Sequence, residues 1–306
     1  MLEIRAVKDD LELNEVFRVL DRAFRRTKAD YFIRRTTIGK PDYDYWHTRV
    51  LVLDGKVVST IEIFPTFMWL EGRKIKNAGI GSVATDPDFQ GRGLGIKIVK
   101  DTNNFVKNKG FTVATLFTSI FDFYAKAGYF KVTYPFYEIG RVYSLPAGKK
   151  VITFRPIYIE RIVRIHEEYN RPLVGPVVKD CESYMRSFGF LNEDTWLFML
   201  AHDGSDITGF IRAREFKNTL EVLEFASVTP DEDLALFTEN LRERGERKRI
   251  FINLSDYEKE RITRVELKSR GQYSMMFAIL DDKFISKDEF IEKFRMRGNF
   301  WLADLY

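Results

Sequence analysis

The chain has 306 residues, 45% hydrophobic and 15% aromatic, which is enough for two buried cores of ordinary size and excludes a disordered chain. Its 49 basic and 45 acidic side chains leave a net charge of +4 with no concentrated basic face, which speaks against a nucleic-acid partner and favours a polyanionic cofactor. No stretch approaches the ~20 apolar residues of a membrane span, and there is one cysteine, Cys181, so a soluble, cytoplasmic protein is expected. With 31% charged residues and only Gln90 and Gln272 as glutamines, the composition leans thermophilic.

Residues 2–7 suit a first strand, and Leu11, Val16, Phe17, Val19, Leu20 and Phe24 then recur at helical spacing. Residues 49–53 and 57–64 read as strands joined by Asp54-Gly55-Lys56, a short-hairpin signal, and another strand follows Glu71-Gly72. Residues 80–85 are small and β-branched, Pro87 stops the strand, and Leu94, Ile98, Val99, Thr102, Phe105 and Val106 mark a helix. A strand, a glycine loop and a helix start in immediate succession make a cradle for a pyrophosphate. Free N–H groups and the positive end of the helix dipole hold phosphate oxygens, glycines let the backbone come close, and Arg92 can add a charge-assisted contact. Gly95 is followed by Ile96, Lys97 and Ile98, which excludes a Walker loop, and Ile96 stands where a dinucleotide fingerprint needs glycine.

Residues 111–117 suit a buried strand, which leads through Thr118 and Ser119 into Phe121-Asp122-Phe123-Tyr124-Ala125-Lys126-Ala127-Gly128-Tyr129. Here Gln90-x-x-Gly93-x-Gly95 is similar to the Arg/Gln-x-x-Gly-x-Gly/Ala motif of the GNAT superfamily of N-acetyltransferases, and Phe123-Tyr124-x-Lys126-x-Gly128-Tyr129 resembles its second motif. The run from Ala78 to Pro87 resembles in particular the branch named for enhanced intracellular survival, the Eis-like acetyltransferases. The resemblance implies acetyl-CoA as donor. It implies that Val83, Ala84 and Thr85 pair with the pantetheine arm, and that Gln90, Gly91, Arg92, Gly93, Leu94, Gly95 and Ile96 surround the pyrophosphate. Ser119 would lie near the thiol, and Tyr124 would be the general acid. The chemistry agrees: attack of an amine on a thioester needs an N–H donor at the carbonyl oxygen, here around Val83, and a proton source near sulfur.

No covalent enzyme intermediate is needed, and Cys181 reads as a small buried residue. His47, His166 and His202 lack metal-ligand spacing and read as structural, so no metal is expected. The base that removes the amine proton is left open among Glu62, Asp122 and the α-carboxylate of Tyr306.

Leu145-Pro146-Ala147-Gly148-Lys149-Lys150 carries the breakers of a domain boundary, dividing the chain into 1–145 and 146–306. Beyond it residues 157–169 read as a helix, 196–202, 207–215 and 220–228 as strands, 231–244 as a helix, 249–254 as a strand, 257–267 as a helix and 274–280 as a final strand. The charged run 242–249 reads as a solvated helix end and turn. The order of the first half is repeated, but Ser227-Val228-Thr229-Pro230-Asp231-Glu232-Asp233 has no glycine and three acids where a phosphate loop would stand. The fold class expected is α/β (α+β): tandem GNAT folds, each a mixed, mostly antiparallel twisted sheet flanked by helices, the first functional and the second degenerate. A charged helix over 287–297 and an aromatic tail over 300–306, docked on a core, leave no room for the family's sterol-carrier-like domain.

The acceptor is expected to be an amine, small or carried on a protein, with Tyr31, Phe32 and Phe64 as candidate lining of a pocket between the domains. Neither a nucleic acid nor a membrane is expected as partner, and assembly of identical copies is left open. Two other readings remain: a non-catalytic acyl-CoA-binding regulatory module, and aminoacyl transfer from charged tRNA.

Overall fold

In the computed structural model, residues 1–24, 31–37, 42–190, 196–244 and 248–302 are described. The first half runs β1 (Leu2–Ala6), α1 (Asp10–Phe24), α2 (Tyr31–Thr37), β2 (Thr48–Leu53), β3 (Lys56–Leu70), β4 (Arg73–Thr85), α3 (Leu94–Asn108), β5 (Val113–Leu116), α4 (Phe121–Ala125) and β6 (Phe130–Val142). The second runs β7 (Lys150–Thr153), α5 (Ile159–Asn170), β8 (Val174–Val177), α6 (Cys181–Phe190), β9 (Trp196–His202), β10 (Ile207–Phe216), β11 (Thr219–Ser227), α7 (Pro230–Arg244), β12 (Arg249–Asn253), α8 (Asp256–Lys259), β13 (Val265–Ile279) and α9 (Lys287–Arg297).

The described strands join in one mixed sheet, ordered β1-β2-β3-β4-β5-β13-β6-β12-β11-β10-β9-β7, with β8 added to the far part of β3. β1 to β4 are antiparallel neighbours, β4 and β5 are parallel, and an antiparallel strand follows. β7, β9, β10, β11 and β12 repeat that pattern, again followed by an antiparallel strand. The closing strands are exchanged. β13 lies between β5 and β6, pairing Met276 with Leu116 and Phe277 with Phe130, while β6 pairs Ile139 with Ile250 of β12. The breaker segment after Leu145 therefore connects β6 to β7, and main-chain pairing crosses it in both directions.

Alternation along β2 and β3 gives the first half two buried faces. Val50, Val52 and Val57 meet Leu13, Val16, Phe17 and Leu20 of α1 on one face. Leu51, Val58, Ile61 and Ile63 meet Leu94, Ile98, Val99 and Val106 of α3 on the other. A third core, with Met275, Phe277, Phe290 and Phe294, packs β13 and α9 against β5 and β6. The tail docks as expected for residues 300–302: Trp301 is fully buried in the second half's core, its Nε1 donating to Asn170 Oδ1 at 2.8 Å. Residues 303–306 lie outside the described residues.

Two expectations are corrected. The helix expected over 257–267 stops at Lys259 and β13 begins at Val265. The Ser255–Glu258 capping box starts the helix, but β-branched Thr263 and Val265 and the long pairing with β6 take the rest into the sheet. Cys181 is partly exposed at the start of α6, not buried. The described helices include none long and apolar enough to cross a membrane.

Because each core borrows a strand from the other half, the chain is expected to unfold in a single cooperative calorimetric transition. Two resolved transitions would contradict interdependence of the halves.

Candidate active site

β4 and β5 pair in parallel for three positions, Asn77 with Val113, Ala78 with Ala114 and Gly79 with Thr115, and then separate. β4 runs on to Thr85, where β3 is its one strand neighbour among the described residues, while β5 ends at Leu116 and turns through Ser119 into α4. The outer part of β4 thus has an edge open to an extended ligand. Val83 and Thr85 are partly exposed there and Ala84 is buried.

The chain leaves this edge through a 3-10 turn, Pro87–Phe89, capped by Asp86, whose Oδ1 accepts the Asp88 amide at 3.1 Å. Asp86 is fully buried and its Oδ2 lies 3.0 Å from Arg18 and 3.4 Å from Arg22 of α1. Burial would raise this carboxyl, but the Arg18 hydrogen bond, the Asp88 amide and both guanidinium charges outweigh it and hold the group below its ordinary value. The turn is therefore anchored from beneath.

Above that anchor, Gly91 (φ +77°) and Gly93 (φ +71°) are left-handed, and Gly93 caps α3. Among the described residues the amides of residues 91–96 have no hydrogen-bond partner, and the first return bond of α3 is Lys97 N to Gly93 O at 3.2 Å. A Cβ on Gly91 or Gly93 would meet nothing within 4 Å, so the space over these amides is open. Gly95 differs: a Cβ there would lie 3.2 Å from Phe123 and 3.3 Å from Thr85, a close approach that ties the start of α3 to the end of β4 and to α4. Leu94 is buried and Ile96 half-buried. Gln90 donates to Thr85 O at 3.0 Å, and Arg92 lies over Phe89 and donates to Asp88 O at 3.1 Å.

Tyr124 is buried on α4, edge-on to Phe123 and Tyr129. Its hydroxyl has no hydrogen-bond partner among the described residues. Burial pushes it up to about 12, so the proton stays on at neutral pH. Asn103 of α3 fixes the turn behind it, donating to Ala127 O at 3.1 Å and accepting from the Tyr129 hydroxyl at 2.9 Å. The Ala127 and Tyr129 amides return to Tyr124 O, so Asn103 sets the position of the phenol. Neither Asn103 nor Arg18 falls in a motif.

Of the three carboxylates considered as base, Glu62 is buried on β3 and accepts from Thr36 at 2.8 Å and Ser82 at 2.5 Å. Asp122 is exposed on α4, and Tyr306 lies outside the described residues. Phe32 is buried in the α1 core, with Tyr31 and Phe64 half-buried. A groove of about 330 Å³ lined by Trp46, Phe67, Lys76, Lys109 and Phe111 lies at the far end of α3, about 20 Å along that helix from the glycine loop. His166 is held between Val177 O at 2.9 Å and Glu224 at 3.0 Å in the second half's core, a structural setting.

At the matching helix start of the second half a cluster of polar side chains gathers. Lys149 Nζ sits 2.7 Å from Asp233, 2.9 Å from Glu232 and 2.6 Å from Thr229, and Ser227 donates to Asp233 at 2.7 Å. Asp233 is fully buried, so this end of α7 is filled from within.

Residues 3–132 match the acetyltransferase (GNAT) domain family. Over this stretch, a little under half of its length, the chain is similar to a GNAT acetyltransferase domain. Comparison with curated proteins gives no match. Among solved structures, a GCN5-related N-acetyltransferase from Anabaena variabilis superposes with a TM-score of 0.74 at 17% identity, over 92% of this chain and 74% of that one. Eis1 from Mycobacterium abscessus gives 0.68 at 15% identity, over 93% and 74%. Saccharomyces cerevisiae N-myristoyltransferase with bound myristoyl-CoA gives 0.54 at 10% identity, over 90% and 82%. At these identities the likeness establishes the fold, a mixed sheet flanked by helices as in GNAT acetyltransferases.

Gly93→Asp puts a carboxylate over the open amides at a left-handed position, so calorimetric CoA affinity should fall at least about tenfold. Unaltered affinity would remove the loop from coenzyme binding.

Proposed function

We propose that the chain is an acetyl-CoA-dependent N-acetyltransferase built from two GNAT folds in tandem, the first catalytic and the second lacking a donor site. The observation that carries the reading is that amides without partners, at the start of α3, meet a strand edge without a neighbour at one end of the sheet. A diphosphate fits the first and an extended amide-bearing arm fits the second. The repeated strand order supports the tandem arrangement, and the Lys149–Asp233 pairing at α7 supports a second half without a cradle.

When bound, acetyl-CoA supplies a thioester ready for attack by an amine. The amides of residues 91–96 hold the diphosphate, with Arg92 at the rim, and the main chain of residues 83–85 aligns the arm. The Val83 amide would be the donor to the thioester carbonyl oxygen, whose negative charge it would stabilise. Tyr124 keeps its proton at neutral pH and holds it for the departing sulfur. On this reading transfer is direct, with no covalent intermediate on Cys181, which lies on α6 in the second half. The acceptor class is a primary amine, small or borne by a protein.

Thiol release from acetyl-CoA measured across an amine panel tests the reading: CoA binding without amine-dependent release would mark a non-catalytic acyl-CoA-binding module. Tyr124→Phe should lower kcat by about 10²-fold with little change in CoA affinity, and normal turnover would remove Tyr124 from the mechanism. Since burial pushes the hydroxyl up to about 12, kcat/KM should show no descending limb from Tyr124 up to about pH 10. A Tyr124-dependent fall near neutrality would contradict its role as the acid.

A further inference from the structure

β4 carries an irregularity within the segment that faces the open edge. β3 and β4 pair Glu62 with Gly81 and Thr60 with Ala84, so Ser82 and Val83 together stand opposite Ile61. This is a bulge, and its first residue, Ser82, is left-handed at φ +48°. That position ordinarily takes glycine, and the sequence has glycines at 79 and 81, yet a serine occupies it. The Ser82 hydroxyl donates to Glu62 Oε2 at 2.5 Å, and the other carboxylate oxygen accepts from Thr36 of α2 at 2.8 Å. Ser82, Glu62 and Thr36 are all buried, so the contact is shielded from water.

An extra residue shifts the two-residue alternation of a strand, so beyond a bulge the chain turns toward one neighbour the groups a regular strand would turn toward the other. Here the bulge lies three residues past the last β5 pair and immediately before residues 83–85. Its geometry decides which main-chain groups meet the open edge.

We propose that Ser82 is a positioning residue: pinned by Glu62, it keeps the bulge left-handed and so presents the main chain of residues 83–85 to the thioester arm. Glu62 on this account is the anchor of the bulge, its two oxygens already engaged by hydroxyl donors. The inference rests on the donor-site reading of β4 given above, and the test separates the two.

Ser82→Ala and Ser82→Gly are compared in the full chain by steady-state kinetics with acetyl-CoA and a primary amine, by calorimetric CoA affinity, by thermal stability and by amide hydrogen exchange with CoA. Alanine loses the pin and disfavours the left-handed backbone, whereas glycine adopts it without help. Ser82→Ala should lower kcat about tenfold or more with Kd for CoA within about threefold, and Ser82→Gly should recover most of that loss. CoA should protect the amides of residues 83–85 in the unaltered chain and in Ser82→Gly, and markedly less in Ser82→Ala. Glycine as slow as alanine, with matching stability, would assign the effect to the hydroxyl and overturn the proposal, as would alanine indistinguishable from the unaltered chain. If the unaltered chain binds CoA but transfers no acetyl group, the catalytic reading fails, and the exchange pattern of the two variants still decides the role of Ser82.

Discussion

Everything at the candidate site depends on where β4 and β5 stop pairing. Three residue pairs hold them together up to Gly79, after which β4 continues and β5 turns away. A parallel pair that continued to Thr85 would satisfy the edge of β4 and close the end of the sheet. Separation leaves main-chain groups that need a partner. The glycine loop and the start of α3 follow directly, so the open edge and the open amides occur together, and α4 returns Tyr124 to the same end. Buried Asp86 beneath the loop and Asn103 behind α4 fix the two sides of this opening.

The two halves meet the same strand order with opposite outcomes. In the first, the start of α3 is left without internal partners; in the second, Lys149, Thr229, Ser227 and Asp233 close the start of α7 with side chains. Strand exchange makes the halves interdependent, since β13 is the neighbour of β5 and β6 that of β12. The second half therefore completes the sheet that carries the candidate site.

Much of this was legible in the sequence. The hairpin over Asp54 and Gly55, the strand stopped by Pro87 and the periodicity of α3 are local signals, and the structure has each. The glycines at 91, 93 and 95 announced a close-approach loop, and the strand order of the second half repeats that of the first within one continuous sheet. What could not be read was non-local. Nothing in the segment 265–279 says that its partners lie at 113–116 and 130–142, and its first part alone has the pattern of a helix. The left-handed Ser82 was hidden too, because the partner of its hydroxyl, Glu62, lies twenty residues away. Asn103 looked like one more polar residue on a helix until Ala127 and Tyr129 were brought against it.

Amide hydrogen exchange on the full chain, with and without saturating CoA, tests the central claim most directly. The account predicts that CoA slows exchange at residues 91–96 and along β4 from Ile80 to Thr85, and leaves the start of α7 unchanged. Saturation of the chain with CoA while those amides exchange as before, or protection confined to the second half, would contradict it.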